Sequence, residues 1–212
     1  KHGSEFLVRF TYNTNAIEGN RLSLRETAMI FNDGVLPSGS TVNDYNEAIN
    51  SRDASRVADA HRGELSKRFL LKLHYELVKN TECRLAGLYR DSEVRISGSD
   101  WIPPKAMDVQ TEMRKLFVWY ANHKGGMHPL ELAAVVHAKL VQVHPFTDGN
   151  GRTSRLVVNW ILRKHGYPPV YVENRDKANY YKAIESADNG SMREMAEYFA
   201  NCILTQYTFV QK

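Results

Sequence analysis

The chain has 212 residues, 42% of them apolar and 25% charged. At roughly 150 residues per domain this makes one large domain with a real core, and it excludes disorder, collagen and coiled coil. Lys and Arg number 28 against 24 Asp and Glu, a formal charge of +4, so an anionic ligand is weakly favoured and a nucleic-acid partner is not expected.

No apolar run reaches the ~18–20 residues of a membrane span, and the charged start holds no signal-peptide apolar region, so a cytoplasmic chain with no membrane partner is expected. Cys83 and Cys202 are far apart and lack a metal-ligand pattern, which reads as buried thiols in a reducing compartment. Residues 1–5 are assigned no function, because Gly3-Ser4-Glu5-Phe6 has the composition of a cloning scar, and the domain is taken as 6–212.

In chain order, Thr14 and Glu18 stand i,i+4 on a helix that Gly19 ends. Ser23 with Glu26 is a capping-box start for a helix ending near Gly34, and Thr41-Val42-Asn43-Asp44 opens another that runs to about His61. Leu65, Phe69, Leu70, Leu73, Leu77 and Val78 form the apolar stripe of the next. From Gly87 to Pro104 the texture changes: Val94 and Ile96 alternate before the turn composition Ser97-Gly98-Ser99-Asp100, which predicts a short β-hairpin closed by Pro103-Pro104. Helical periodicity resumes through Met107, Met113, Leu116, Phe117 and Tyr120, and again from Leu130 to Val143. Stretches near 152–165 and 176–188 follow, then a last helix after Asn189-Gly190 that carries Met195, Phe199 and Ile203. The fold class predicted is all-α, with one hairpin.

The chemistry concentrates at residues 144–155. Pro145 disfavours the α region for His144, so the preceding helix should stop there and leave the imidazole at a helix end. Gly149 and Gly151 permit close backbone approach, and Asn150 can serve near the start of the next helix, whose unpaired N–H groups suit phosphate. Arg152 and Arg155 share a face of that helix, Asp148 adds a hard carboxylate of the kind Mg²⁺ takes beside substrate phosphates, and His144 has an ordinary pKa suited to proton transfer near neutrality. Each part alone has a bland reading as turn, helix end or solvated face. Their joint occurrence within twelve residues is hard to explain as packing. His137 and His144, seven apart, could share a face, but no third ligand stands at a spacing that would make a zinc site. Asn159 could reach a nucleotide or bond a neighbouring segment, while His61, His74, His123, His128 and His165 carry no partner pattern and read as structural or exposed.

His144 through Arg155 resembles the Fic family motif, His-Pro-Phe-x-Asp/Glu-Gly-Asn-Gly-Arg-x-x-Arg, without a departure, and the resemblance extends over about residues 10–205. It implies a Fic-type helical fold and transfer of AMP from ATP to a Tyr, Thr or Ser hydroxyl of a target protein or of the chain itself. His144 would be the general base, Asp148 would hold Mg²⁺ or Mn²⁺, and Gly149, Asn150, Gly151, Arg152 and Arg155 would cradle phosphates. Tyr181 and Asp188 lie where relatives place adenine contacts, although Tyr180-Tyr181 on an apolar helix is core more often than not. Residues 87–104 resemble the family's flap, in which Val94, Arg95, Ile96, Ser97 and Gly98 would dock a target segment by strand addition. Residues 6–20 resemble an N-terminal inhibitory helix whose Glu18 pairs with Arg155. Removal of AMP at the same site, or nucleotide binding without transfer, are the alternatives. A homo-oligomer stays open.

Overall fold

A computed structural model describes residues 2–207, leaving the His2 side chain aside. Local rules set four of the helix starts. Helix α1 spans His2–Ile17; α2, Leu24–Asp33, and α3, Val42–Ala60, each begin with a complete capping box, Ser23 with Glu26 and Thr41 with Asp44. In α4, Lys67–Val78, the Ser66 hydroxyl accepts from the Phe69 N–H. A 3₁₀ turn at Ala106–Asp108 leads into α5, Val109–His123, and Pro129 occupies the first turn of α6, Pro129–Val143. Helix α7 spans Asn150–Lys164, α8 Lys177–Asp188 and α9 Arg193–Tyr207.

Twelve of the fifteen residues of α7 are buried, which makes it the axis of the molecule. Its apolar residues, from Leu156 to Leu162, and its buried polar ones, Arg152, Arg155 and Asn159, all require neighbours. Helix α6 lies along it, α1, α3 and α4 also pack on it, and α8 and α9 back α6. The consequence for function is that the 144–155 segment is anchored in the core at both ends and at Phe146: Val143, Phe146 and Leu156 belong to one cluster with Leu70, Leu73, Leu77 and Trp160.

The all-helical class is as expected; the hairpin is not. Among the described residues there is no strand, and 87–104 is an irregular excursion with a turn in which the Ser99 N–H donates to the Ile96 carbonyl at 3.2 Å and Gly98 has φ 76°. A lone two-stranded ribbon is marginal in water. Arg90 gathers the two arms in place of a ladder, donating to the carbonyls of Ser92 and Pro104. Met107, expected on the apolar stripe, is exposed on the 3₁₀ turn. No described helix is long and apolar enough to cross a membrane.

Candidate active site

Helix α6 ends at His144, which adopts φ 48°, ψ 59°, a left-handed conformation worth 1–3 kcal/mol of strain in general. The surroundings hold it there. The His144 N–H donates to the Leu140 carbonyl at 3.0 Å, its own carbonyl accepts from Arg90 Nε at 2.8 Å, and the Pro145 carbonyl accepts from the Arg90 N–H at 2.9 Å. Nδ1 lies 3.3 Å from the Val141 carbonyl, so that nitrogen carries the proton and Nε2 keeps a lone pair. Burial depresses the His144 pKa below 6.5, the Val141 bond works against this, and the Arg90 charge adds to it. The result is a neutral imidazole with one nitrogen available as a base.

Phe146 anchors the loop in the core, and Asn150 brackets it: the Phe146 N–H donates to Asn150 Oδ1 at 2.9 Å and Asn150 Nδ2 donates to the Phe146 carbonyl at 2.8 Å. Gly149 sits at φ 75° as the residue preceding α7, and a Cβ there would collide with Val78. Gly151 leaves room for the Glu18 carboxylate above the first turn of α7.

The two arginines are both buried and both bound. Arg152, 2% exposed, donates to Glu47 Oε1 at 2.8 Å and to Asp148 Oδ2 at 2.9 Å. Glu47 also accepts from Asn20 Nδ2 at 2.7 Å, which ties the end of the α1 segment to the same arginine. Arg155 donates to Thr14 Oγ1 at 2.8 Å, to the Thr14 carbonyl at 3.0 Å and to Glu18 Oε1 at 2.6 Å, with Tyr180 OH at 3.4 Å. Burial opposes the Arg155 charge, while the Tyr180 hydroxyl and the Glu18 carboxylate outweigh it and raise the pKa. The Tyr180 hydroxyl is in turn 2.7 Å from His137 Nε2, so the buried His137 serves this network.

The Asp148 side chain remains 53% exposed beside this frame. Among the described residues no group of three or more His, Cys, Asp or Glu side chains could hold a metal unaided. One half-exposed hard carboxylate beside the N-terminus of α7 fits Mg²⁺, which is bound through one or two acids plus substrate phosphates and water.

Tyr181 is 48% exposed and packs on Tyr180 at 5.6 Å between ring centroids. Asp188 accepts from Gln142 Nε2 at 3.2 Å, next to the end of α6, and burial raises its pKa. The flap approaches the same end, because Trp101 Nε1 donates to the Gln142 carbonyl at 3.0 Å. Val94 and Ile96 are half-buried, whereas Arg95, Ser97 and Gly98 are exposed. Asn159 turns to the neighbouring segment, pairing both ways with the Val170 backbone at 2.7 and 2.8 Å.

Sequence reasoning missed four contributors: Glu47, His74, Arg90 as an anchor, and Tyr180 as a partner of Arg155. His74 is wholly buried, stacks on Phe146 with centroids 3.7 Å apart, and has its pKa lowered to about 4 by burial. Its place in the apolar stripe of α4 carries no signal of this.

Residues 64–162 match the Fic/DOC family. A protein adenylyltransferase Fic from Nematostella vectensis is 33% identical over 203 residues, covering 93% of this chain and 47% of the relative. The chain spans less than half the length of the curated relatives it matches. A Fic-1 fragment from C. elegans superposes with a TM-score of 0.87 at 31% identity, over 95% of this chain and 61% of that one. A Fic domain-containing signaling protein from Bacteroides thetaiotaomicron gives 0.88 at 25% identity, over 97% and 85%. Motif, helical architecture and relatives agree with the match of residues 64–162 to the Fic/DOC family.

Proposed function

We propose that this chain is an autoinhibited protein adenylyltransferase domain, which moves AMP from ATP to a Tyr, Thr or Ser hydroxyl of a target protein and is held at low activity by Glu18. The observation that carries the reading is the 2.6 Å Arg155–Glu18 pair over the α7 N-terminus, within one site that also holds a neutral His144. The similarity to protein adenylyltransferases supports the reaction class.

The chemistry follows from the residues. The N–H groups of the first turn of α7, with its partial positive charge, receive phosphate oxygens. A target hydroxyl is a poor nucleophile at neutral pH, so His144 Nε2 takes its proton as the oxygen attacks the α-phosphorus. A phosphorus–oxygen bond breaks and pyrophosphate leaves. Asp148 would hold Mg²⁺, which when bound neutralises phosphate charge. Tyr181 and Asp188 border the adenine end, and residues 94–98 present the target segment. With Glu18 on Arg155, the guanidinium that should meet a terminal phosphate is occupied, and the added negative charge repels the triphosphate.

The test is incubation of the purified chain with α-labelled ATP and cell lysate, as wild type, Glu18→Gly and His144→Ala. Strong labelling by Glu18→Gly, weak labelling by wild type and none by His144→Ala are expected. Labelling by His144→Ala at the wild-type level rejects the reading. Removal of AMP is the second reading, favoured by the Glu18 carboxylate being 33% exposed and able to meet water. Following label loss from a pre-modified target in the same samples separates the two.

A further inference from the structure

His74, on α4, makes two hydrogen bonds, each to a different working segment. Nδ1 accepts from the Gly87 N–H at 2.9 Å, so the proton resides on Nε2, which donates to the Asp148 carbonyl at 3.0 Å. Gly87 begins the flap excursion, and Asp148 is the residue whose carboxylate faces the phosphate site. The ring lies flat on Phe146, 3° from parallel, which leaves it no freedom to swing. From the other side Arg90, three residues beyond Gly87, grips the His144 and Pro145 carbonyls. Flap root and catalytic loop are therefore fixed to each other at two points, and His74 is the one beneath the loop.

We infer that His74 is a positioning residue for adenylyl transfer, setting the spacing between the target hydroxyl offered by the flap and the phosphates held by the 148–152 turn. The inference rests on the adenylyltransferase reading. Its physical content is that two hydrogen bonds from one rigid ring hold two backbones in register, and a shift of about 1 Å between reacting groups can cost 10²-fold in rate.

The two bonds can be cut separately. In His74→Gln the amide nitrogen reaches the place of Nε2 and keeps the Asp148 bond, leaving the Gly87 N–H without a partner. In His74→Asn the amide oxygen takes the place of Nδ1 and keeps Gly87, leaving the Asp148 carbonyl unmatched. In the Glu18→Gly background, His74→Gln should raise KM for the target roughly tenfold with kcat little changed, and His74→Asn should lower kcat and weaken Mg–ATP binding by about the same factor, as expected for one lost buried hydrogen bond. Without any transfer, trypsin should cut after Arg95 faster in His74→Gln than in wild type or His74→Asn. Imidazole ¹⁵N spectra of the unmodified chain should show a protonated Nε2 and a bare Nδ1, a readout that does not depend on either variant folding. The inference is overturned if kcat and KM move in the same proportion in both variants, if both behave as wild type, or if Nδ1 carries the proton. Should no variant transfer AMP at all, the adenylyltransferase reading fails, and calorimetry of Mg–ATP binding with the trypsin rates still decides whether His74 holds the two segments.

Discussion

His144 is pinned by its backbone and has its Nδ1 proton committed to Val141, so truncating the imidazole should remove the base and leave the phosphate cradle standing. For His144→Ala the transfer rate should drop on the order of 10²–10⁴-fold with ATP affinity nearly unchanged, read by labelling and calorimetry. The pH dependence has a definite sign. Burial and the Arg90 charge disfavour the imidazolium, with Glu18 and Asp148 pulling the other way, and the net shift is downward from 6.5. The proton-accepting form therefore persists below that value, and the acidic limb of kcat/KM should lie under pH 6.5; a limb above it would contradict the assignment. Asp148 and Arg152 should separate in another way. Asp148→Ala should raise the Mg²⁺ needed for activity, since the ion keeps only phosphate and water. Arg152→Ala strands the mostly buried Glu47 carboxylate, so it should also lower stability by about 3 kcal/mol, and a melting curve unchanged from wild type would show that Glu47 is not held as described.

Helix α1 supplies the prediction at the next scale. Arg155 is tied to Thr14 by two bonds besides the Glu18 pair, so removing Glu18 clears the phosphate space without releasing the arginine. Glu18→Gly should raise self-labelling at least tenfold, Glu18→Gln less because its shape remains, and the gain should vanish in Glu18→Gly with Arg155→Ala; an unchanged rate in Glu18→Gly would make residues 14–20 an ordinary helix end. The legibility of elements followed the range of their causes. The capping boxes of α2 and α3 were readable because Ser23 and Thr41 meet partners three residues away. The hairpin was misread because alternation at Val94 and Ile96 cannot say whether a second strand pairs, and Arg90 organises those arms instead. Motif residues 144–155 were visible as a string. Glu47 and His74 were invisible, because they reach Arg152 and Asp148 across 105 and 74 residues and nothing local marks either.

For the molecule as a whole, two buried neutral histidines set an acid response. The pKa of His74 falls to about 4 and that of His137 to about 3, both through burial. Below 6.5 the unfolded chain binds protons that the folded chain refuses, so stability should fall as pH drops from 6.5 toward 4, by an order of 3 kcal/mol from His74 alone. Urea midpoints between pH 7 and 4.5 should trace this, with a shallower slope in His74→Gln; an identical slope would assign the effect to carboxylates. A different consequence follows from how α1 is seated. Its inner face contributes Phe10 and Ile17 to the main core, Asn15 accepts from Ser51 on α3 at 3.0 Å, and Asn13 accepts from the Asn174 N–H at 2.8 Å. The segment proposed as a brake is thus part of the supporting wall. If the proposal holds, an activating partner could not peel this segment away without opening the core, and would have to act on the carboxylate itself or on the bend at Gly19, where φ is 99°. A chain cut after residue 20 should therefore be unstable rather than hyperactive, while the single substitution of Glu18 should be both folded and derepressed.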